Sequence, residues 1–140
     1  MRRIDKIVIH CSDSDDSLDI GFREINEWHR QNGWLAPSGV SCGYHFVVRR
    51  DGRPEPGRLL SEAGAHARGH NSRSIGICWV GRRQPTSVQL STLHALARGL
   101  MHQFSVPIEN VVGHYELDGG KTCPNLDMDR FRANLIFKKI

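Results

Sequence analysis

The 140-residue sequence has no apolar run near the ~20 residues that a membrane-spanning helix requires; its most apolar stretch runs only from Ile75 to Val80. It also lacks a secretory core. Behind Arg2-Arg3 the apolar residues are Ile7-Val8-Ile9 alone, too short for one. The four cysteines form neither a CxxC pair nor a zinc-finger ladder, and a chain of this length needs no covalent staples, so reduced thiols are expected. The net charge of +4 has no basic block behind it. It comes from dispersed pairs such as Arg49-Arg50 and Arg82-Arg83, which read first as a solvated surface and make a nucleic-acid partner unlikely. The aspartate-rich stretch from Ser12 to Asp19 lacks the spacing and closing glutamate of a calcium loop. With no internal repeat and no linker, residues 1–140 read as one domain.

What is present alternates between strand and helix patterns. Ile4 to His10 reads as a strand, and Phe22, Ile25, Trp28 and His29 recur at helical spacing up to a stop at Gly33, with Trp28 expected in the core. Gly43 to Arg50 reads as a strand with Tyr44, Phe46 and Val48 on one face and His45 and Val47 on the other. Asp51-Gly52 turns it into an irregular return strand marked by Pro54 and Pro56. Ser61 to Ser74 is a long polar loop, and Ser74 to Val80 a central strand buried on both faces. Ser87 to Phe104 is a helix capped by Thr86 or Ser87, with Val88, Leu90, Leu93, Leu96, Ala97, Leu100 and Met101 inward. Ile108 to Val112 is a short strand. Asp127 to Phe137 is a last helix, with Met128, Phe131, Leu135 and Ile136 inward and Lys138-Lys139 at its negative end. The expected fold is α/β: a single domain with a mixed central sheet of about five strands flanked by three main helices.

The chemistry concentrates in the loop from Gly113-His114 to Lys121-Thr122-Cys123-Pro124. A histidine leaving a strand end and a cysteine returning to face it supply two metal ligands. The third is most simply His10, which ends the first strand as His114 ends the last. Two neutral imidazoles and one thiolate suit one Zn2+ with an open fourth position, the pattern of a catalytic rather than a structural site. Lys121 lies close enough to Cys123 to stabilise an oxyanion, and Tyr44 offers a phenol; both are candidate catalytic residues. His66 and Asn71, in the long loop, are candidate substrate contacts. Glu116 is a weaker candidate for proton transfer.

The same residues carry a resemblance. Val8-Ile9-His10-Cys11-Ser12, Gly43-Tyr44-His45-Phe46, His66-Ala67-Arg68-Gly69-His70-Asn71, Ser74-Ile75-Gly76-Ile77 and the His114 to Pro124 segment occur in register with the zinc N-acetylmuramoyl-L-alanine amidases of the phage-lysozyme type, which are similar to peptidoglycan recognition proteins. The resemblance implies zinc on His10, His114 and Cys123, with Tyr44 and Lys121 catalytic. It implies cleavage of the amide between N-acetylmuramic acid and L-alanine in peptidoglycan; the chain is expected to be a monomer. Such an enzyme is expected to be made in the cytoplasm and to act on the cell wall after release by another factor. The His114–Cys123 loop is one residue longer than in the family, around Gly119-Gly120. A phage member that also inhibits RNA polymerase has a longer N-terminus, so polymerase binding gains little support here. A non-catalytic peptidoglycan-binding module is the alternative, and the intact His10–His114–Cys123 set argues against it.

Overall fold

In the computed structural model, which describes residues 1–136, five strands form one sheet. They are β1 (Lys6–Cys11), β2 (Phe46–Val48), β3 (Pro54–Pro56), β4 (Ser74–Trp79) and β5 (Val111–Gly113), in the spatial order β3-β2-β4-β1-β5. β4 and β5 run parallel to β1, β2 runs parallel to β4, and only the proline-flanked edge strand β3 is antiparallel. The helices are α1 (Phe22–Gln31), α2 (Ser87–Phe104), the single turn α3 (His114–Leu117) and α4 (Met128–Ile136). The expected mixed α/β sheet with three main helices is therefore present, and α3 is an addition to it.

Alternation along the strands divides the interior in two. Ile7, Ile9 and Cys11 of β1 and Ile75, Ile77 and Trp79 of β4 face one side, where Leu93, Ala97 and Leu100 of α2 and Met128, Phe131 and Leu135 of α4 cover them. Val47, Cys78 and Val80 face the other side and meet Ile25 of α1. α1 covers only part of that second face. What it leaves open, at the carboxyl ends of the parallel strands β1 and β4, is where open α/β sheets place their ligands.

Several expected core positions lie elsewhere. Trp28 is 42% exposed, because Ile25 alone anchors α1 and the helix is short. Val88 is 49% exposed, while Gln89 is fully buried. The Gln89 amide donates to the Val48 and Val80 carbonyls at 3.2 and 2.9 Å and accepts from Arg50 at 3.1 Å, so its polarity is satisfied inside the core. Ile136 is 67% exposed rather than inward. Ile108–Asn110 forms a 3-10 turn, and the last strand starts at Val111. The expected pairing of Lys138-Lys139 with a helix end near Phe137 lies outside the described residues.

Candidate metal centre

His10 ends the inner half of β1 with its ring on the open face of the sheet, 1% exposed. β5 runs beside β1 in parallel register, Ile9 opposite Gly113, so His114 leaves its strand next to His10. The ring centroids of His10 and His114 are 4.7 Å apart. Cys123 returns from the loop. Three anchors hold it: the Tyr115 amide donates to its carbonyl at 2.8 Å, the Trp79 indole donates to the Pro124 carbonyl at 3.0 Å, and the Cys11 amide donates to its sulfur at 3.1 Å. The sulfur lies 3.7 Å from His10 Nδ1. One donor atom from each of His10, His114 and Cys123 falls within 4.8 Å of the others.

This donor set fits a divalent, borderline-soft cation. Burial lowers the pKa of His10 far below the ordinary histidine value, and His66 and His114 add to the effect. Burial also lowers His114, and the Lys121 charge pushes the same way. Both rings are therefore neutral with lone pairs free at physiological pH, the state a metal requires. A contact with the Cys11 thiol, followed by burial, raises the Cys123 pKa, so the metal-free thiol keeps its proton; the Cys11 amide at its sulfur works the other way, and a bound cation would displace that proton.

The cluster lies in a cleft of about 840 Å³. Tyr44 lines it, with its ring centroid 5.1 Å from that of His10. Tyr44 precedes β2 and does not share a face with Phe46 and Val48. It packs with Cys42 and Val47, because the chain bends where Gly43 passes against the Ala65 carbonyl too closely for any Cβ. Burial raises the Tyr44 pKa well above the phenol value, so it is present as a proton donor. Lys121 also lines the cleft, in a turn where its amide donates to the Asp118 carbonyl at 3.0 Å.

His66 and Asn71 line the same cleft. The Asn71 side-chain oxygen accepts from the amides of His66 and Ala67, both at 2.9 Å, and His66 Nδ1 is 2.8 Å from His10 Nε2. Glu116 does not line the cleft. Its carboxylate is held by Arg132 at 2.7 and 2.9 Å and by the Gly113 amide at 2.9 Å. The Arg132 contact keeps its pKa low, and its role is to tie α3 to α4. His29, which the helical spacing alone does not mark as a site residue, lines the cleft. Its Nδ1 accepts from the Gly43 amide at 2.7 Å, and its ring lies 4.8 Å from that of Trp34. Its place in the last turn of α1, just before the exposed Trp34, was the available signal.

The buried histidines make stability depend on pH. Burial lowers His45 from 6.5 to about 4, and burial followed by the Arg58 charge does the same to His29. Between those values the unfolded chain binds protons that the folded protein does not. Stability therefore rises with pH across the window and is lost as pH falls from 6.5 toward 4. For His45, 1% exposed, this amounts to about 3 kcal/mol. Thermal melts of the metal-free protein should show a midpoint that is level above pH 7 and drops steadily below 6.5. A flat midpoint down to pH 4.5 would contradict this account of the buried rings.

Comparison with known proteins agrees with this geometry. Residues 1–126 match the family profile described as N-acetylmuramoyl-L-alanine amidase. The endolysin of Klebsiella phage KP32 is 36% identical over 134 residues, which cover 90% of this chain and 83% of that protein. The endolysin of Escherichia phage T7 is 36% identical over 135 residues, covering 91% and 84%. Among solved structures, the N-acetylmuramoyl-L-alanine amidase LysC from Clostridium intestinale URNW superposes with a TM-score of 0.84 at 30% identity, covering 98% of this chain and 88% of that one. Drosophila PGRP-LB shares the fold, with a TM-score of 0.73 at 22% identity and coverage of 96% and 81%.

Proposed function

The chain belongs to the N-acetylmuramoyl-L-alanine amidase family, and from that premise we propose that it hydrolyses peptidoglycan with one zinc ion held by His10, His114 and Cys123. The observation that carries the proposal is the convergence of two neutral imidazoles and one thiol on the floor of an open cleft. The bond broken is the amide between the lactyl group of N-acetylmuramic acid and L-alanine. A bound zinc ion would supply Lewis acidity to the carbonyl and an acidified water.

The chain's own residues do the rest. Lys121 places an ammonium on the cleft wall, where negative charge develops on the amide oxygen during attack. Tyr44, protonated at neutral pH, donates a hydrogen bond to the same oxygen or to the attacking water. Asn71 shapes the wall through the His66 and Ala67 amides. No helix among the described residues is long and apolar enough to cross a membrane. As in an endolysin, the place of action is the cell wall, reached after release.

The test is a mass-spectrometric digest of one defined muropeptide with the purified protein as isolated, after chelation, and after zinc is added back. The expected result is separation of the intact stem peptide from the lactyl group, loss of this activity on chelation, and its return with zinc. Cleavage at another bond would refute the reaction, and chelator-resistant turnover would refute the metal.

A further inference from the structure

The parallel register of β1 and β4 sets Gly76 opposite Val8 and Cys78 opposite His10. The loop before β4 folds back over this open face. Its backbone is fixed by Asn71, whose side-chain oxygen takes the His66 and Ala67 amides. Arg2 holds its end through the Asn71, Ser72 and Ser74 carbonyls at 3.2, 3.2 and 2.9 Å. The result is that the His66 ring lies directly on Gly76, where an added Cβ would come within 2.7–2.8 Å of three ring atoms. A glycine inside a buried central strand is costly, and here its missing side chain makes the space that His66 fills.

In that place both ring nitrogens of His66 have partners within the protein. Its Nδ1 is 2.8 Å from His10 Nε2, and its Nε2 is 3.2 Å from the buried Ser74 hydroxyl. The other nitrogen of His10, Nδ1, faces the Cys123 sulfur at 3.7 Å. An imidazole that offers its Nδ1 lone pair carries its proton on Nε2. That proton must then be donated to a bare His66 Nδ1, which puts the His66 proton on Nε2, aimed at Ser74 Oγ. We propose that His66, seated on Gly76 and anchored by Ser74, is a positioning residue that holds His10 in the tautomer and orientation needed for metal binding. This rests on the zinc site proposed above. Outer-shell partners of this kind fix ring orientation and raise ligand basicity, and their loss typically costs about 10–100-fold in metal affinity.

The experiment measures zinc affinity by competition with a chromophoric chelator for the wild-type protein, His66→Leu and His66→Asn, using zinc alone. Asparagine can place its side-chain oxygen where Nδ1 stood and accept the His10 proton; leucine cannot. His66→Leu should bind zinc roughly 10–100-fold more weakly, and His66→Asn should recover most of that loss. Long-range proton–nitrogen spectra of the zinc-loaded wild type should show both His10 and His66 protonated at Nε2. Wild-type affinity in His66→Leu, equal weakness in both variants, or a proton on His10 Nδ1 would overturn the proposal. The spectrum needs no substitution, so it decides the matter even if a variant fails to fold. A wild-type protein that binds no zinc sinks the metal site itself, whereas tight wild-type binding with an undiminished leucine variant sinks only the role of His66.

Discussion

Cys123→Ser should abolish muropeptide cleavage and strip the protein of zinc at concentrations that saturate the wild type. The sulfur is the one donor of the described cluster that a bound cation would make anionic, and the two imidazoles beside it are neutral. A serine hydroxyl is too weak an acid to replace a thiolate, and its shorter bond leaves the oxygen back from the position the sulfur holds, 3.7 Å from His10 Nδ1. The loss should exceed the roughly 10–100-fold that removal of an outer-shell partner costs, since a direct bond is lost. The fold should persist. Two of the three anchors of this segment, Tyr115 N to Cys123 O at 2.8 Å and Trp79 Nε1 to Pro124 O at 3.0 Å, do not use the sulfur, and a serine oxygen can still accept from the Cys11 amide that forms the third. Metal content, chelator competition and a melt of the metal-free form measure the three parts. Full zinc content with full turnover would remove Cys123 from the centre.

Lys121→Ala should do the opposite to the metal and nearly the same to the rate. Lys121 is exposed, and its backbone bond to Asp118 survives truncation, so stability and zinc binding should be unchanged. In the proposed reaction its ammonium acts only when charge gathers on the amide oxygen. Loss of one such donor typically lowers kcat by about 10²–10³. KM should move little, because an interaction made only in the transition state leaves ground-state binding alone. A raised KM with unchanged kcat would make Lys121 a substrate anchor instead, and unchanged kinetics would remove it from the reaction. The turn at Asp118–Lys121 sets where the ammonium lies, so the measurement also reports on that turn.

The donor chemistry of the cluster was legible before any coordinates. His10 and His114 both follow β-branched runs, and such runs become strands wherever they meet. Cys123 sits in a loop whose glycines and proline force a return. The long helix α2 was equally legible, because an apolar period of 3.6 sustained from Ser87 to Phe104 has no alternative reading. Where periodicity was short it misled. Trp28 and Ile136 fit an inward stripe in sequence but are 42% and 67% exposed. Val88 and Gln89 exchanged places because Gln89 found the Val48 and Val80 carbonyls and Arg50 as partners, none of them local. Tyr44 left its expected strand face because a close passage against Ala65 bends the chain at Gly43. Glu116 had the right spacing from His114 for proton transfer, but Arg132 of α4 claimed it.

From the amino-acid sequence alone follow the α/β class, the family and the identity of the three candidate metal donors, because each is written in local patterns of a few consecutive residues. Only the tertiary structure decides how those donors are oriented. His10 and His66 are 56 residues apart and meet because β4 lies in parallel register beside β1, with a bare glycine where the second ring must rest. A hydrogen bond between such distant residues depends on packing across the sheet, and no local pattern encodes it.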